Sequence, residues 1–346
     1  MRASGLYYKV YVFVAVGLII ALLEVSAYFI NTDKLPLFYD KRESAGKRSY
    51  SYVEHFYFAL DPLLGWSIDP GQVKEPLRVI NNCIYLENLE GVSKDTLVLF
   101  ISGGSTSDIV LQDYNWPAKL FEKFKEQGIK CKIYVGGVGG YGTSQETLKL
   151  LRDGLDIPDL KYHISYFGAN EMKESAYTSK YEYDLYRNVT KKDRSRTYLP
   201  NLSRWIDNVL YRKSVIRVLY AESKPQPFQT LKNLKIMQSL SESHGYKFIP
   251  ILQPVLGMGG IDSYEKFDLN GIMDKSFFDH NKNRYQSFYR PFLAEVSSYQ
   301  GLYDFTDIFQ NVEDFPFTDD CHVKEIYQHM ISDKIYEMFF SAEDHI

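Results

Sequence analysis

The chain has 346 residues, 45% of them apolar and 24% charged, a balance that excludes wholesale disorder and suits one large α/β domain with additions. Lys and Arg number 40 against 44 Asp and Glu, a net charge of −4 without the basic excess that nucleic acid selects, so no nucleic-acid partner is expected. Three cysteines, Cys83, Cys131 and Cys321, are too few for a disulfide framework and lack the CxxC or Cys/His spacing of zinc sites, so no metal is expected.

Residues 1–9 are a short head carrying Arg2 and Lys9, expected to lie in the cytoplasm. Val10 to Ile30 then reads VYVFVAVGLIIALLEVSAYFI, with Glu24 as its one charge. As a helix this run would span roughly 31 Å, the hydrocarbon thickness of a bilayer. It is expected to be a single transmembrane anchor with the lipid bilayer as its partner. A signal peptide is the alternative, with Val10 to Leu23 as its apolar region and Val25-Ser26-Ala27 as a small-residue cleavage site. The basic residues Lys34, Lys41, Arg42, Lys47 and Arg48 after the span count against export, yet a large downstream domain translocates largely regardless of such charge. The expected topology is a single-pass membrane protein with its main domain outside the cytoplasm, in the periplasm or at the cell surface.

Residues 31–95 read as a stalk and N-terminal subregion, with turn signals at Asp61-Pro62 and Asp69-Pro70-Gly71 and no long helical period. At Thr96 the pattern changes. TLVLFIS is a continuous apolar run of the kind buried on both faces of a parallel sheet. Further strands are expected at Lys130–Val135, Tyr162–Phe167, Tyr246–Leu252 and Gly301–Phe305. Between them lie helical patterns at Trp116–Gln127, from a cap at Thr143 or Ser144 to Arg152, at Phe228–His244 and at Asn281–Val296, with a last one at Val323–Phe340. Strand and helix in alternation predict a parallel sheet with right-handed crossovers over 96–340. The alternation stops over about 172–227, a polar, Tyr-rich stretch with a helical pattern near Leu202–Tyr220. It reads as an insertion, since it is longer than an ordinary connection.

Ligands of open parallel sheets bind outside the carboxyl ends of the strands. Three such ends carry small or polar residues here: Gly103-Gly104-Ser105-Thr106, Gly139-Gly140-Tyr141-Gly142-Thr143-Ser144-Gln145, and Gly168-Ala169-Asn170-Glu171. A fourth group, Thr318-Asp319-Asp320-Cys321-His322, precedes the last helix. Singly, each has a plain structural explanation: a helix start, a backbone turn, an Asx-turn, a solvated pair. The glycines at 137–142 lack the G-x-G-x-x-G spacing of a dinucleotide turn, so no cofactor is expected. His329 reads as a surface or packing residue, and Cys321 as a buried structural thiol.

Taken in order, the four groups resemble the blocks of the SGNH hydrolase superfamily, the GDSL-type esterases and lipases. GGS at 103–105 stands for the commoner GDS, Gly137 to Gln145 is similar to the N-x-G-x-x-G block, GANE at 168–171 to G-x-N-D, and Asp319 to His322 to D-x-x-H. The departures are Val135, where many members have Asn, Glu171, which replaces Asp, and Tyr327, where a Gly often follows the final His. The resemblance implies a three-layer α/β/α fold with a flavodoxin-like, five-stranded parallel sheet. It also implies a Ser105 nucleophile, a His322 base oriented by Asp319, and an oxyanion hole of the Ser105 N–H, the Gly140 N–H and the Asn170 amide. A serine hydroxyl needs such a base near neutral pH, and each fixed oxyanion donor is worth roughly 3–4 kcal/mol in the barrier. The expected activity is ester hydrolysis through an acyl-enzyme, on an O-acylated carbohydrate or another small ester. The same residues would serve an O-acyltransferase on surface polysaccharide. A non-catalytic glycan-binding or assembly protein on the same scaffold is the reading from a different class.

Overall fold

A computed structural model of the protein describes residues 58–61, 63–171, 227–296, 299 and 301–341. Its first elements form a hairpin, β1 (Phe58–Asp61) paired antiparallel with β2 (Gly65–Ile68) in a two-stranded sheet of their own. The Asp61 carboxylate accepts the N–H groups of Leu63 and Leu64, each at 2.9 Å, and so closes the turn between the strands. A second hairpin follows, β3 (Arg78–Ile80) and β4 (Cys83–Asn88). Asn81 and Asn82 supply the two positive-φ residues that its tight turn demands.

The apolar run after Thr96 becomes β5 (Leu97–Gly103), buried along its whole length. Helix α1 (Trp116–Glu126) returns the chain to β6 (Cys131–Val135), and α2 (Thr143–Lys149), extended by one π turn at Leu150–Gly154, leads to β7 (Tyr162–Phe167). Beyond residue 226, α3 (Pro227–His244), β8 (Lys247–Leu252), α4 (Lys275–Val296), the short β9 (Tyr303–Asp304) and α5 (Gln328–Phe339) complete the fold.

The main sheet has seven strands in the order β3-β4-β6-β5-β7-β8-β9. The expected count of five describes only its parallel part, β6 to β9, in which every neighbouring pair is parallel. The other two strands come from the stretch read as stalk: β4 pairs antiparallel with β6, from Ile84 opposite Val135 to Asn88 opposite Cys131. They were not legible as strands because β3 is three residues long and β4 is buried only over its first half, which leaves no clear period. Helix α1 packs on α5, while α3 packs on both α2 and α4. With right-handed crossovers these two groups cover opposite faces of the sheet, giving the three layers. The parallel strands run in the doubly wound order whose direction reverses beside β5, and the crevice of such a sheet opens at that point, above the carboxyl ends of β5 and β7.

Two helix starts differ from expectation. Helix α4 begins at Lys275 rather than Asn281, because the Asp274 side chain accepts the Phe277 N–H at 2.8 Å and caps an additional turn. The last helix begins at Gln328 rather than Val323: a bridge between Phe317 and Val323 and the 2.7 Å bond from the Thr318 N–H to the His322 carbonyl hold 317–323 as a tight loop. Among the described residues no helix is long and apolar enough to cross a membrane. The expected anchor at Val10–Ile30, its alternative cleavage site and the insertion at 172–226 with its helical pattern lie outside the described residues.

Candidate active site

Strand β5 ends in Gly103, and Ser105 opens a single 3-10 turn, Ser105–Ser107, directly beyond it. The turn holds itself through the Ser107 N–H, which donates to the Gly104 carbonyl at 3.0 Å, and through the Thr106 hydroxyl, which donates to Gln253 Oε1 at 2.7 Å. Gln253 lies just past β8, so two strand ends grip the serine turn. Gly104 is needed for contact rather than flexibility: a β-carbon there would sit 2.4 Å from Asn170 Nδ2 and 2.9 Å from the Tyr141 carbonyl.

The loop at 317–323 brings His322 over this turn. Its Nε2 lies 2.8 Å from Ser105 Oγ across a separation of 217 residues, and its Nδ1 lies 2.6 Å from Asp319 Oδ2. Asp319 Oδ1 accepts the Cys321 and His322 N–H groups at 2.9 and 2.8 Å, which fixes the carboxylate before it meets the ring. A carboxylate at Nδ1 requires the proton there, so Nε2 is the acceptor and the Ser105 hydroxyl donates to it. Ser105 and His322 are buried, at 4% exposure each, which keeps these bonds out of competition with water. Burial works against the imidazolium, but the adjoining Cys321 and Asp319 side chains hold the His322 pKa well above its usual value. Burial in turn pushes the Cys321 thiol up. For Asp319, burial alone would raise the carboxyl; the facing imidazole and the two backbone donors bring it below its usual value.

The third and second strand ends complete the set. Asn170 donates one amide hydrogen to the Tyr141 carbonyl at 2.9 Å and has a second hydrogen to offer. In the loop after β6, Gly139 gives its N–H to Asp108 Oδ2 at 2.9 Å and Tyr141 gives its own to the Val138 carbonyl at 3.1 Å. Gly140, between them, has φ +87°, a conformation that a β-carbon would strain. Glu171 ties the two loops together, accepting the Gly168 N–H at 2.5 Å and the Thr143 N–H at 2.9 Å. Thr143 is therefore the first residue of α2 rather than its cap. The Glu171 side chain satisfies the first-turn N–H from outside.

Beneath the site lies a buried polar cluster. Glu146 Oε2 accepts the hydroxyls of Ser102 and Ser165, both at 2.6 Å, and His163 Nε2 lies 2.9 Å from Ser102 Oγ. Ser102 has one proton and gives it to Glu146, so His163 donates from Nε2 and is neutral; burial pushes its pKa down to about 3. Burial raises Glu146 to about 6, and burial together with the Glu146 charge raises Glu171 to about 8.

Ser105, Asp319 and His322, named from sequence, thus meet beyond the end of β5, with Asn170 and the loop that carries Gly140 packed against Gly104 beside them. His329 is exposed on α5 and stands apart. Cys321 is buried, with its sulfur 3.7 Å from His322 Nδ1. Asp319, Cys321 and His322 are the one group among the described residues with three ligand types close together, within 4.8 Å. Both ring nitrogens of His322 are already engaged by Asp319 and Ser105, so a cation would have to break that chain. Sequence reasoning gave no site role to Trp66, Asp108, Glu146 or Gln253. Their partners lie on other strands and loops, and no local pattern marks them.

No protein-family model matches the chain, and no curated protein matches it. Among solved structures it is similar to the acetyl xylan esterase AlAXEase at 13% identity and TM-score 0.40, over 70% of this chain and 100% of that one. It is also similar to Axe2, an acetylxylan esterase from Geobacillus stearothermophilus, at 11% identity and TM-score 0.41, over 73% and 98% of the two chains. A third is a putative lipolytic protein of the G-D-S-L family from Desulfitobacterium hafniense, at 11% identity and TM-score 0.39, over 70% and 99%. At such scores the chemistry of this site stands on its own distances and burial.

Proposed function

We propose that the protein is a serine ester hydrolase in which Ser105 is the nucleophile, His322 the base and Asp319 the residue that orients it. One observation carries this reading: a buried imidazole lies 2.8 Å from a serine hydroxyl at one nitrogen and 2.6 Å from a carboxylate at the other. Ser105 Oγ adds to the ester carbonyl as His322 Nε2 takes its proton. The oxyanion is met by the Ser105 and Gly140 N–H groups and the free hydrogen of Asn170. His322 then returns the proton to the departing alcohol oxygen, leaving an acyl group on Ser105. Water, deprotonated by the same nitrogen, adds to that carbonyl and releases the acid and the serine.

The substrate class follows from the motif resemblance, which favours a small acyl group, acetyl first, on an extracytoplasmic carbohydrate. Offered p-nitrophenyl acetate, longer p-nitrophenyl esters and O-acetylated oligosaccharides, the full chain is expected to release acetate fastest. Preference for long acyl chains would overturn the acetyl assignment, and inertness toward every ester would sink the hydrolase reading.

The apolar run Val10–Ile30 supports a single-pass anchor with this domain outside the cytoplasm. The protein is then expected to stay with membranes through carbonate washing, and its domain to be digested by protease added from outside. A mature chain starting at Tyr28 would mean a cleaved signal, and a domain protected on the cytoplasmic side would overturn the topology.

A further inference from the structure

We infer that Trp66, on the N-terminal hairpin, is the residue that aims the Gly140 N–H at the reacting carbonyl; the inference rests on the hydrolase reading above. The indole Nε1–H of Trp66 donates to the Gly139 carbonyl at 3.1 Å, in a buried contact 73 residues away in sequence. The Gly139 carbonyl and the Gly140 N–H belong to one peptide unit. That unit is planar and trans, so its C=O and N–H point in opposite directions. Whatever holds the carbonyl on one side therefore sets where the N–H points on the other. Donation to the carbonyl also polarises the unit and makes its N–H a better donor.

Glycine at 140 makes this external hold necessary. With φ at +87° and no side chain, the residue has little of its own to keep the peptide from turning. The preceding peptide is held separately, by the Gly139 N–H to Asp108. Trp66 supplies the missing half, and it is well placed to do so. It is fully buried, its ring meets Tyr141 edge-on with centroids 5.5 Å apart, and the Tyr141 hydroxyl donates back to the Trp66 carbonyl. A two-stranded hairpin is marginal by itself, and β1–β2 is also tied down one register pair from Trp66, by the ion pair of Asp61 with Arg152. Arg152 is in turn paired with Asp153, both on the π turn that extends α2. The hairpin is thus braced against the oxyanion loop at Gly139 and Tyr141 and against the π turn at Arg152. None of these contacts reaches Ser105 or His322, which makes Trp66 a positioning residue and not a catalytic one.

The test compares the wild-type chain with Trp66→Phe, which keeps a ring but loses the donor, and with Tyr141→Phe, which loses the hydroxyl that grips the hairpin. Each is assayed on a p-nitrophenyl ester and on the matching thionoester, whose sulfur is a poor acceptor for oxyanion donors. Trp66→Phe is expected to lower kcat roughly 10- to 100-fold, less than outright loss of a donor, with KM little changed. The wild-type preference for the oxygen ester should shrink by a similar factor, and the midpoint of the acid limb of kcat/KM should stay where it is. Tyr141→Phe should move the same quantities in the same direction by less. A general loosening of the fold would lower both substrates together and leave their ratio alone. An unchanged ratio in a folded Trp66→Phe variant overturns the inference. If that variant shows no melting transition, an unchanged ratio in Tyr141→Phe overturns it instead. A wild-type chain inert toward all esters would fail the hydrolase reading first and take this inference with it.

Discussion

Ser105→Ala is expected to lower ester turnover by about a millionfold and to abolish labelling by a fluorophosphonate probe. The hydroxyl oxygen is the only heavy atom removed, and it is the atom that forms the acyl bond. The surroundings that hold it do not depend on it: the Gly104 carbonyl still takes the Ser107 N–H, and Thr106 still donates to Gln253. His322 Nε2 loses a donor 2.8 Å away, a penalty of about 1–3 kcal/mol for a buried acceptor, so the variant should melt somewhat lower but remain folded. Oxyanion donors and substrate binding remain, and a small residual rate over water is consistent with the mechanism. Full activity in the folded variant, or a wild-type chain that resists the probe, would mean that Ser105 is not the nucleophile.

Asp319→Asn is expected to lower kcat by about 10⁴-fold, and Asp320→Asn to have little effect. The two neighbours differ in what they touch. Asp319 Oδ2 takes the Nδ1 proton of His322 at 2.6 Å, while the contact at Asp320 is made by its main-chain carbonyl, to the Leu256 N–H at 3.0 Å. With an asparagine amide facing Nδ1, the ring proton moves to Nε2, and His322 presents Ser105 with a donor where an acceptor is needed. The same substitution has a signature in pH. His322 acts as a base only when neutral, and the adjoining Cys321 and Asp319 hold its pKa well above the usual imidazole value, so wild-type activity should rise with pH through a midpoint above 6.5. Removing the carboxylate charge takes away one support for the imidazolium against burial, so the midpoint of the residual activity should move down. An upward move, or a larger loss in Asp320→Asn than in Asp319→Asn, would assign the wrong carboxylate.

Much of the parallel sheet was legible because its strands are local objects. Leu97–Ile101 is apolar without interruption because both of its faces are covered, and the same holds for Ile249–Leu252. The site residues were legible through short motifs in which the residue type is forced. Gly104 leaves no room for a β-carbon beside Asn170, and Asp319 stands three residues before His322 so that one carboxylate can hold both backbone and ring. Helix starts were less so. Phe277 is capped by Asp274 outside the apolar period, and the first-turn amide of α2 is satisfied by Glu171, 28 residues further along the chain.

From its own order of residues, then, the chain determined the alternation of strands and helices over 96–340 and the identity of the groups at the strand ends. Those depend on periodicity, turn chemistry and side-chain type, each set within a few residues. Only the tertiary structure decided that β3 and β4 extend the sheet to seven strands, that Asp108 and Trp66 hold the two sides of Gly139, and that a Glu146–Ser102–His163 cluster lies under the site. Each of these joins groups 31 to 73 residues apart, or strands of opposite direction. A backbone carbonyl or a buried carboxylate accepts from whichever donor the packing delivers, so no local pattern has to record the partner.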